Sequence, residues 1–362
     1  MTNRQSALRR ADAFSESLGL RRPILGAPMA GVSPASLAVA ACEAGAMGAC
    51  GALVMTPAAI IDWAASVRAA TSGPFQINTW IPDPAPVRAP DHEARVAQFL
   101  GSWGPPVDAA TLDIGLVDFD AQCEAMLTAR PVVMSSIMGL YPPAVVARMK
   151  AQGVLWFANV TTVAEARAAV AAGADAVVAQ GMEAGGHRGA FDAGRAEAGL
   201  VGLFALLPAV VDAVGDQVPV VATGGIADGR TIAAALLLGA SAVQIGTGLL
   251  RTPEAGLNRA WADAIAAAAP EDTTTTRAFS GRLARAIATD YVRAAAAPGA
   301  PAPAPYPVQR ALTQPMRLAA YRRGDLGGMQ AWAGQAARLA PAEPVGDYLG
   351  RIWTDARALL PA

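Results

Sequence analysis

The chain has 362 residues, 53% of them hydrophobic and 16% charged, with a formal net charge of -1. These values fit one large globular domain with an appendage, or two domains, and leave no electrostatic footprint for nucleic acid or an acidic membrane surface. The start, Met1 to Arg22, is polar and charged without the apolar core of a signal peptide, and every long apolar stretch is interrupted well short of a membrane span. Cys42, Cys50 and Cys123 lack metal-site spacing and are too few for a disulfide framework. They read as reduced core thiols of a cytoplasmic protein.

Short apolar runs alternate with longer helical segments, the pattern of parallel α/β folds. Pro23–Ala27 predicts a strand and Pro34–Ala44 a helix. Ala46–Ala49, a helix over Thr56–Ala70 and Phe75–Ile77 follow. The proline-rich stretch Pro82–Pro106 reads as a long loop. Next come Pro131–Met134, a helix over Pro142–Gln152, Val154–Ala158, a helix over Val163–Ala172 and Ala176–Ala179. Val218–Ala222, a helix over Arg230–Leu238 and Ala242–Ile245 complete eight strands. Helices tend to stop at glycine, as at Ala44-Gly45 and Ala172-Gly173. Eight such units close most naturally into a (β/α)8 barrel, with an open doubly wound sheet as the alternative. After the eighth strand the chain runs on longer than one helix needs, through polyproline-like linker material at Ala296–Pro307. The expected division is a barrel over 1–250, a small, mostly helical subdomain over 251–325, and a C-terminal segment over 326–362. In that last segment an amphipathic helix, Met329–Leu339, would return to the barrel.

Active sites of such barrels lie at the carboxyl ends of the strands. Strand one ends in Ala27-Pro-Met-Ala-Gly31, strand three in Asn78, strand five in Asn159 and strand six in Gln180. Strand seven ends in Thr223-Gly-Gly225 and strand eight in Gly246-Thr-Gly248. Amides and glycines dominate. No carboxylate cluster or histidine set suggests a metal, and no Gly-x-Ser-x-Gly elbow suggests a hydrolase. Glycine loops ahead of helix N-termini suit a phosphate, although tight turns alone would also use them. The run Gly181-Met-Glu-Ala-Gly-Gly-His-Arg-Gly189 follows strand six and holds one of the two histidines, His187, the other being His92. An imidazole on a glycine-rich loop can accept a proton beside a flat ligand. The alternative is a structural histidine on a tight turn. Met29, Trp63, Trp80, Trp156 and Trp332 read as packing residues, Glu183 as a local cap or pair, and Arg188 as solvated or salt-bridged. Taken alone, the residues reach a barrel that binds a phosphorylated aromatic cofactor with a histidine beside it.

The motifs Ala27–Gly31, Gln180–Gly189, Val221-Ala-Thr-Gly-Gly-Ile-Ala-Asp-Gly229 and Gln244-Ile-Gly-Thr247 resemble the nitronate monooxygenase family. The resemblance extends through Phe279-Ser-Gly-Arg-Leu-Ala-Arg285, Tyr306-Pro-Val-Gln-Arg-Ala-Leu-Thr313 and Trp332-Ala-Gly-Gln335, a tail similar to class I members. It implies an FMN-dependent barrel that oxidises alkyl nitronates with O2 to a carbonyl compound and nitrite. It further implies that Pro28, Met29 and Ala30 pass under the flavin ring with their backbone. Asn78, Gln180 and Gly185 would contact FMN. Gly224, Gly225, Gln244, Ile245, Gly246 and Thr247 would hold its phosphate end. His187 would be the base or anion partner, and Tyr306 would line the substrate pocket. Flavin-dependent enoyl-acyl-carrier-protein reductases of the same superfamily carry almost the same histidine loop. An NAD(P)H-dependent reductase of that kind, or a quinone reductase, is therefore the alternative enzyme, and a non-catalytic flavin-binding protein the third reading. The chain departs from the family at Ser135-Ser-Ile-Met138, where an aromatic-His-aromatic element is expected. It departs again at Ala288-Thr-Asp290, where an asparagine is common. Both departures touch the pocket more than the flavin site.

Overall fold

The structure is a computed structural model that describes residues 7–107 and 116–360. Its strands are β1 (Ile24–Gly26), β2 (Gly48–Gly51), β3 (Phe75–Trp80), β4 (Val133–Ile137), β5 (Leu155–Val160), β6 (Ala176–Gln180), β7 (Gly186–His187), β8 (Val220–Thr223), β9 (Ala242–Ile245), β10 (Thr273–Thr276) and β11 (Ala284–Ile287). Eight of them form one parallel sheet in the order β1-β9-β8-β6-β5-β4-β3-β2. Its two edges meet: Leu25 bridges Met47, and the Gly26 N–H donates to Met47 O at 2.8 Å. No free edge remains, and the sheet is a closed (β/α)8 barrel.

Alternate residues of a strand face the same side, so each strand reads as a column inside the barrel. The lower layer is apolar. Leu25, Met47, Val133, Phe157, Val178 and Val221 cluster there with Phe14, Leu18 and Leu20 from the N-terminal segment. The helix Ala7–Ser17 plugs this end, with Phe14 and Phe157 ring centroids 6.2 Å apart. Two residues further along the same strands the side chains turn polar: Ser135, Asn159, Gln180 and Thr223, with Gln244 beyond Ala242, all buried. Gln76 crosses the interior, its Nε2 donating to Gly26 O at 2.9 Å and to Gln244 Oε1 at 3.2 Å. The barrel thus has a dry floor and a polar mouth.

Two expectations need correction. The stretch Pro82–Pro106 contains a helix, Pro90–Leu100, because proline is accepted in a first turn and Asp91 and Glu93 suit the positive end of a helix. Met329–Leu339 is not a helix. A short turn at Leu326–Gly328 precedes it and another, Ala337–Leu339, ends it, and two backbone donors between them are spent outside the segment. Gly334 N–H goes to Thr247 Oγ1 at 3.0 Å and Gln335 N–H to Glu183 O at 2.9 Å. The helix that does return to the barrel is Val345–Leu359, which buries Val345, Leu349, Ile352 and Trp353 against the helix Gly229–Leu237. The region 251–325, expected to be mostly helical, also holds the strand pair β10 and β11, which β7 joins in a three-stranded antiparallel sheet, β10-β11-β7. The polar start Met1–Arg22 carries the plug helix, and its first six residues lie outside the described ones.

Removing the plug should destabilise the barrel without touching its mouth. Phe14→Ala is expected to cost about 3–5 kcal/mol, the usual range for truncating a buried phenylalanine. Urea denaturation checks this, and a loss under about 1 kcal/mol would show that the floor closes without the helix.

Candidate active site

The mouth is built by loops that lean on one another. After β1, the Met29 N–H donates to Ser33 Oγ and the Ser33 hydroxyl returns to Met29 O, both at 2.9 Å, which fixes the Ala27–Gly31 turn. This turn abuts Gly246, where an added Cβ would lie 3.3 Å from Ala27 Cβ and 3.6 Å from Met29 Sδ. Pro28, Met29 and Ala30 therefore run beside the end of β9. At the end of β3, Asn78 Nδ2 donates to Ser135 Oγ at 3.1 Å. The Ser135–Met138 departure thus supplies the acceptor that orients Asn78. Gly224 and Gly225 adopt left-handed backbone, φ 114° and 69°, which a side chain would oppose. The side chain of Ile245 is wholly buried in the core between sheet and helices, so this residue offers the mouth only backbone. Among the described residues, no group of three or more His, Cys, Asp or Glu side chains could hold a metal ion, and no helix is long and apolar enough to cross a membrane.

The histidine loop is held from both sides. Gln180 Nε2 donates to His187 O at 3.1 Å, and its Oε1 accepts from the Gly189 N–H at 2.8 Å. Arg188, expected in solvent or in a salt bridge, is instead 5% exposed and donates to three carbonyls, those of Gln180, Thr161 and Gly199. Burial pulls its pKa from 12.5 down to about 10, which leaves the guanidinium charged at neutral pH. Glu183 accepts from the Leu203 N–H with both oxygens, at 2.9 and 3.0 Å, and so caps the helix Leu203–Val214. At Gly185 the chain passes so near the Trp332–Gln335 segment that a Cβ would sit 2.4 Å from Gly334 N. Thr247 joins the same junction by accepting from Gly334.

The His187 ring is set by β7 pairing with β11, in which His187 faces Ala284. Its Nε2 lies 2.8 Å from Ser280 Oγ. The Ser280 hydroxyl also lies 3.2 Å from Arg282 O; when it donates there, the ring proton sits on Nε2 and the lone pair on Nδ1. Trp80 and Trp332 meet the imidazole edge-on, with centroids 4.6 and 5.1 Å away. These two tryptophans, read from sequence as packing residues, are walls of the site. Tyr306 lies 5.4 Å from Trp80, and among the described residues its buried hydroxyl has no partner. Burial, then the charges of Arg282, Arg310 and Arg317, pull the His187 pKa from 6.5 down to about 3. Burial raises Tyr306 from 10 to about 12, against the pull of Arg310. Ser280 and Arg282 have no role in the sequence reading, although the motif Phe279–Arg285 contains both. Arg282 pairs with Asp83, Nε to Oδ2 at 2.8 Å, and donates to Ala190 O at 2.9 Å. Beside the β1 turn, a cavity of about 570 Å³ opens between Met29, Val32, Trp63 and Glu254.

The arrangement has counterparts among known proteins. A family model described as nitronate monooxygenase matches residues 12–355. The nitronate monooxygenase of Paraburkholderia phytofirmans is 37% identical over 345 residues, 92% of each chain. That of Pseudomonas aeruginosa is 37% identical and covers 96% of this chain and 99% of its own. The structure of nitroalkane oxidase from Streptomyces ansochromogenes superposes with a TM-score of 0.86 at 37% identity, over 96% of this chain and 99% of that one. FabK from Thermotoga maritima superposes at 0.73 with 27% identity, over 96% of each. With a family match over nearly its whole length and relatives of this identity and coverage, the chain belongs to the nitronate monooxygenase family.

Proposed function

We propose that this protein is a cytoplasmic, FMN-dependent oxidoreductase that converts alkyl nitronates and O2 to a carbonyl compound and nitrite, and takes nitroalkanes by way of their nitronates. The observation that carries the reading is the placement of His187. Its ring is walled by Trp80 and Trp332 and stands beside a mouth of amides and glycines. The residues present fit the cofactor. Among the described residues, Asn159 Nδ2 and Gln76 Oε1 are buried without partners and suit a ring of alternating donors and acceptors. Gly224 and Gly225 form a side-chain-free cradle at the strand ends where barrels of this class take a phosphate. Asn78, Gln180 and Gly185 would meet the ring over the backbone of Pro28, Met29 and Ala30. Gln244, Ile245, Gly246 and Thr247 would hold the phosphate end. FMN, when bound, supplies an electron acceptor that oxygen can reoxidise. The three cysteines, all free and buried, suit a reducing compartment.

With its pKa pulled down to about 3, His187 is neutral near physiological pH and offers one ring nitrogen as an acceptor. The arginine charges that depress its pKa also favour the anion left when a nitroalkane loses its proton. The site is thereby biased toward nitronate on either route, and Tyr306 would line the pocket that holds it. The likeness to FabK at 27% identity favours one second reading, an NAD(P)H-dependent reductase.

Three outcomes test this. Denatured protein should release FMN rather than FAD, and anaerobic mixing with a nitronate should bleach the flavin faster than NADH or NADPH does; the reverse order would favour the reductase. His187→Ala should retain FMN yet lose roughly two to four orders of magnitude in turnover of a neutral nitroalkane, the range for a positioned base, and less with a preformed nitronate. Equal losses on both would reject the base role. The third outcome is a pH dependence of stability. Unfolded, His187 titrates near 6.5, and folded near 3, so the unfolded chain binds the extra proton between those values. This contribution is full above about pH 6.5 and is lost as pH falls toward about 3. The melting temperature of the wild type should drop more steeply from about pH 7 to about pH 4 than that of His187→Gln. Parallel drops would place the loss at other groups.

A further inference from the structure

The inward column of β4 reads Val133, Ser135, Ile137. Val133 belongs to the dry floor, and Ser135 accepts from Asn78 Nδ2 in the polar layer above it. The residues between them point the other way. Met134 packs in the core between sheet and helices, and Ser136 Oγ accepts from the indole of Trp156, a residue of that same core. Ile137 therefore stands one layer above Ser135, with its side chain turned into the mouth.

Its neighbours belong to the site. Trp80 holds the same place on β3, above Gln76 and Asn78, and the two strands pair so that Trp80 and Ile137 lie side by side. The Trp80 ring meets the His187 imidazole at 4.6 Å. The histidine loop closes in as well. A Cβ added to Gly189 would press on Asn159 Nδ2 and come 2.8 Å from Ile137 Cγ1. Ile137 is half-buried and, among the described residues, joins none of the hydrophobic clusters that hold the fold together. A branched apolar side chain that faces a polar mouth without packing on a core leaves hydrocarbon for a ligand to cover.

We propose that Ile137 is a specificity-determining residue, which together with Trp80 seats the alkyl group of the substrate. The site then favours longer unbranched chains over shorter ones, and over chains of equal length that end in a polar group. For the identity of the substrate this rests on the function proposed above. Ile137 lies within Ser135–Met138, where the chain departs from its family, so the selectivity belongs to this chain.

The substrates of the test are the nitronates of nitroethane, nitrobutane and nitrohexane, with that of nitropropanol as the polar-ended match to nitrobutane. The binding probes are ethanol, butanol and hexanol, followed in the purified FMN-loaded protein by NMR of its two histidines, His92 and His187. In the wild type, kcat/KM should rise about fourfold for each methylene seated, and the nitrobutane nitronate should outrun its hydroxyl match. Hexanol should move the His187 signal at lower concentration than butanol and leave that of His92 in place. Ile137→Asn should flatten both chain-length series to under about twofold per methylene and erase the preference over the hydroxyl match. Ile137→Val, one methyl smaller, should flatten them partway, and it carries the test should the asparagine variant not fold. Chain-length series equal in the wild type and the variants, or a wild type indifferent to chain length, would overturn the proposal. If alkanol binding depends on Ile137 but no nitronate is oxidised, the alkyl seat stands and the functional reading falls.

Discussion

Gln180 spans the histidine loop with both ends of one amide, and the upper half of the molecule is hung from that clasp. Its nitrogen holds His187 O and its oxygen holds the Gly189 N–H, while its own carbonyl accepts from Arg188. Because the amide sits at the end of β6, the loop inherits the rigidity of the barrel. The loop can then offer β7 as an edge to β11, and that pairing brings Ser280 to the imidazole. A glutamate at 180 could not donate to His187 O, and an aliphatic residue would leave two buried backbone groups unpaired. Arg188 reinforces the clasp from below by collecting carbonyls of three different segments.

The barrel was legible because its signals are local. Short apolar runs ending in amides, separated by helices that stop at glycine, predict eight strands and the side of the sheet on which chemistry sits. The glycines at 185, 224 and 225 were legible for the same reason, since each marks a backbone that must bend or approach closely. What escaped depends on distance along the chain. Nothing near Trp80 or Trp332 distinguishes a wall of the site from a core residue until β7 and β11 pair. Ser280 reaches His187 across 93 positions. The periodicity of Met329–Leu339 suggests a helix, but two of its N–H groups, at Gly334 and Gln335, are claimed by Thr247 and Glu183, and tertiary hydrogen bonds override the local pattern. Proline density at Pro82–Pro106 misled in the opposite sense, because Pro90 starts a helix rather than preventing one.

The net charge of -1 conceals a strong internal asymmetry. Arg188, Arg282 and Arg285 are all at least nine-tenths buried around β7 and β11. Among the described residues only Arg282 of the three has a carboxylate partner, and the others donate to backbone carbonyls and Thr273. Arg285, for example, donates to Met182 O at 2.9 Å. Carbonyl dipoles stabilise these cations without cancelling their charge. The mouth of the barrel therefore holds buried positive charge that composition alone does not reveal, and Arg282 adds to the burial that lowers the His187 pKa.

The close approach of Gly185 to Gly334 sets when the site can exist. The strands of the barrel are complete by Ile245, yet the histidine loop is not framed until Ser280, Ala284 and finally the 332–335 segment arrive. On a ribosome that adds roughly 5–20 residues per second, the barrel strands would emerge several seconds before the residues that finish its mouth. For that interval the protein would be a scaffold with an unframed histidine loop, and a chain stopped before residue 332 would lack a wall of the site however well its barrel had formed.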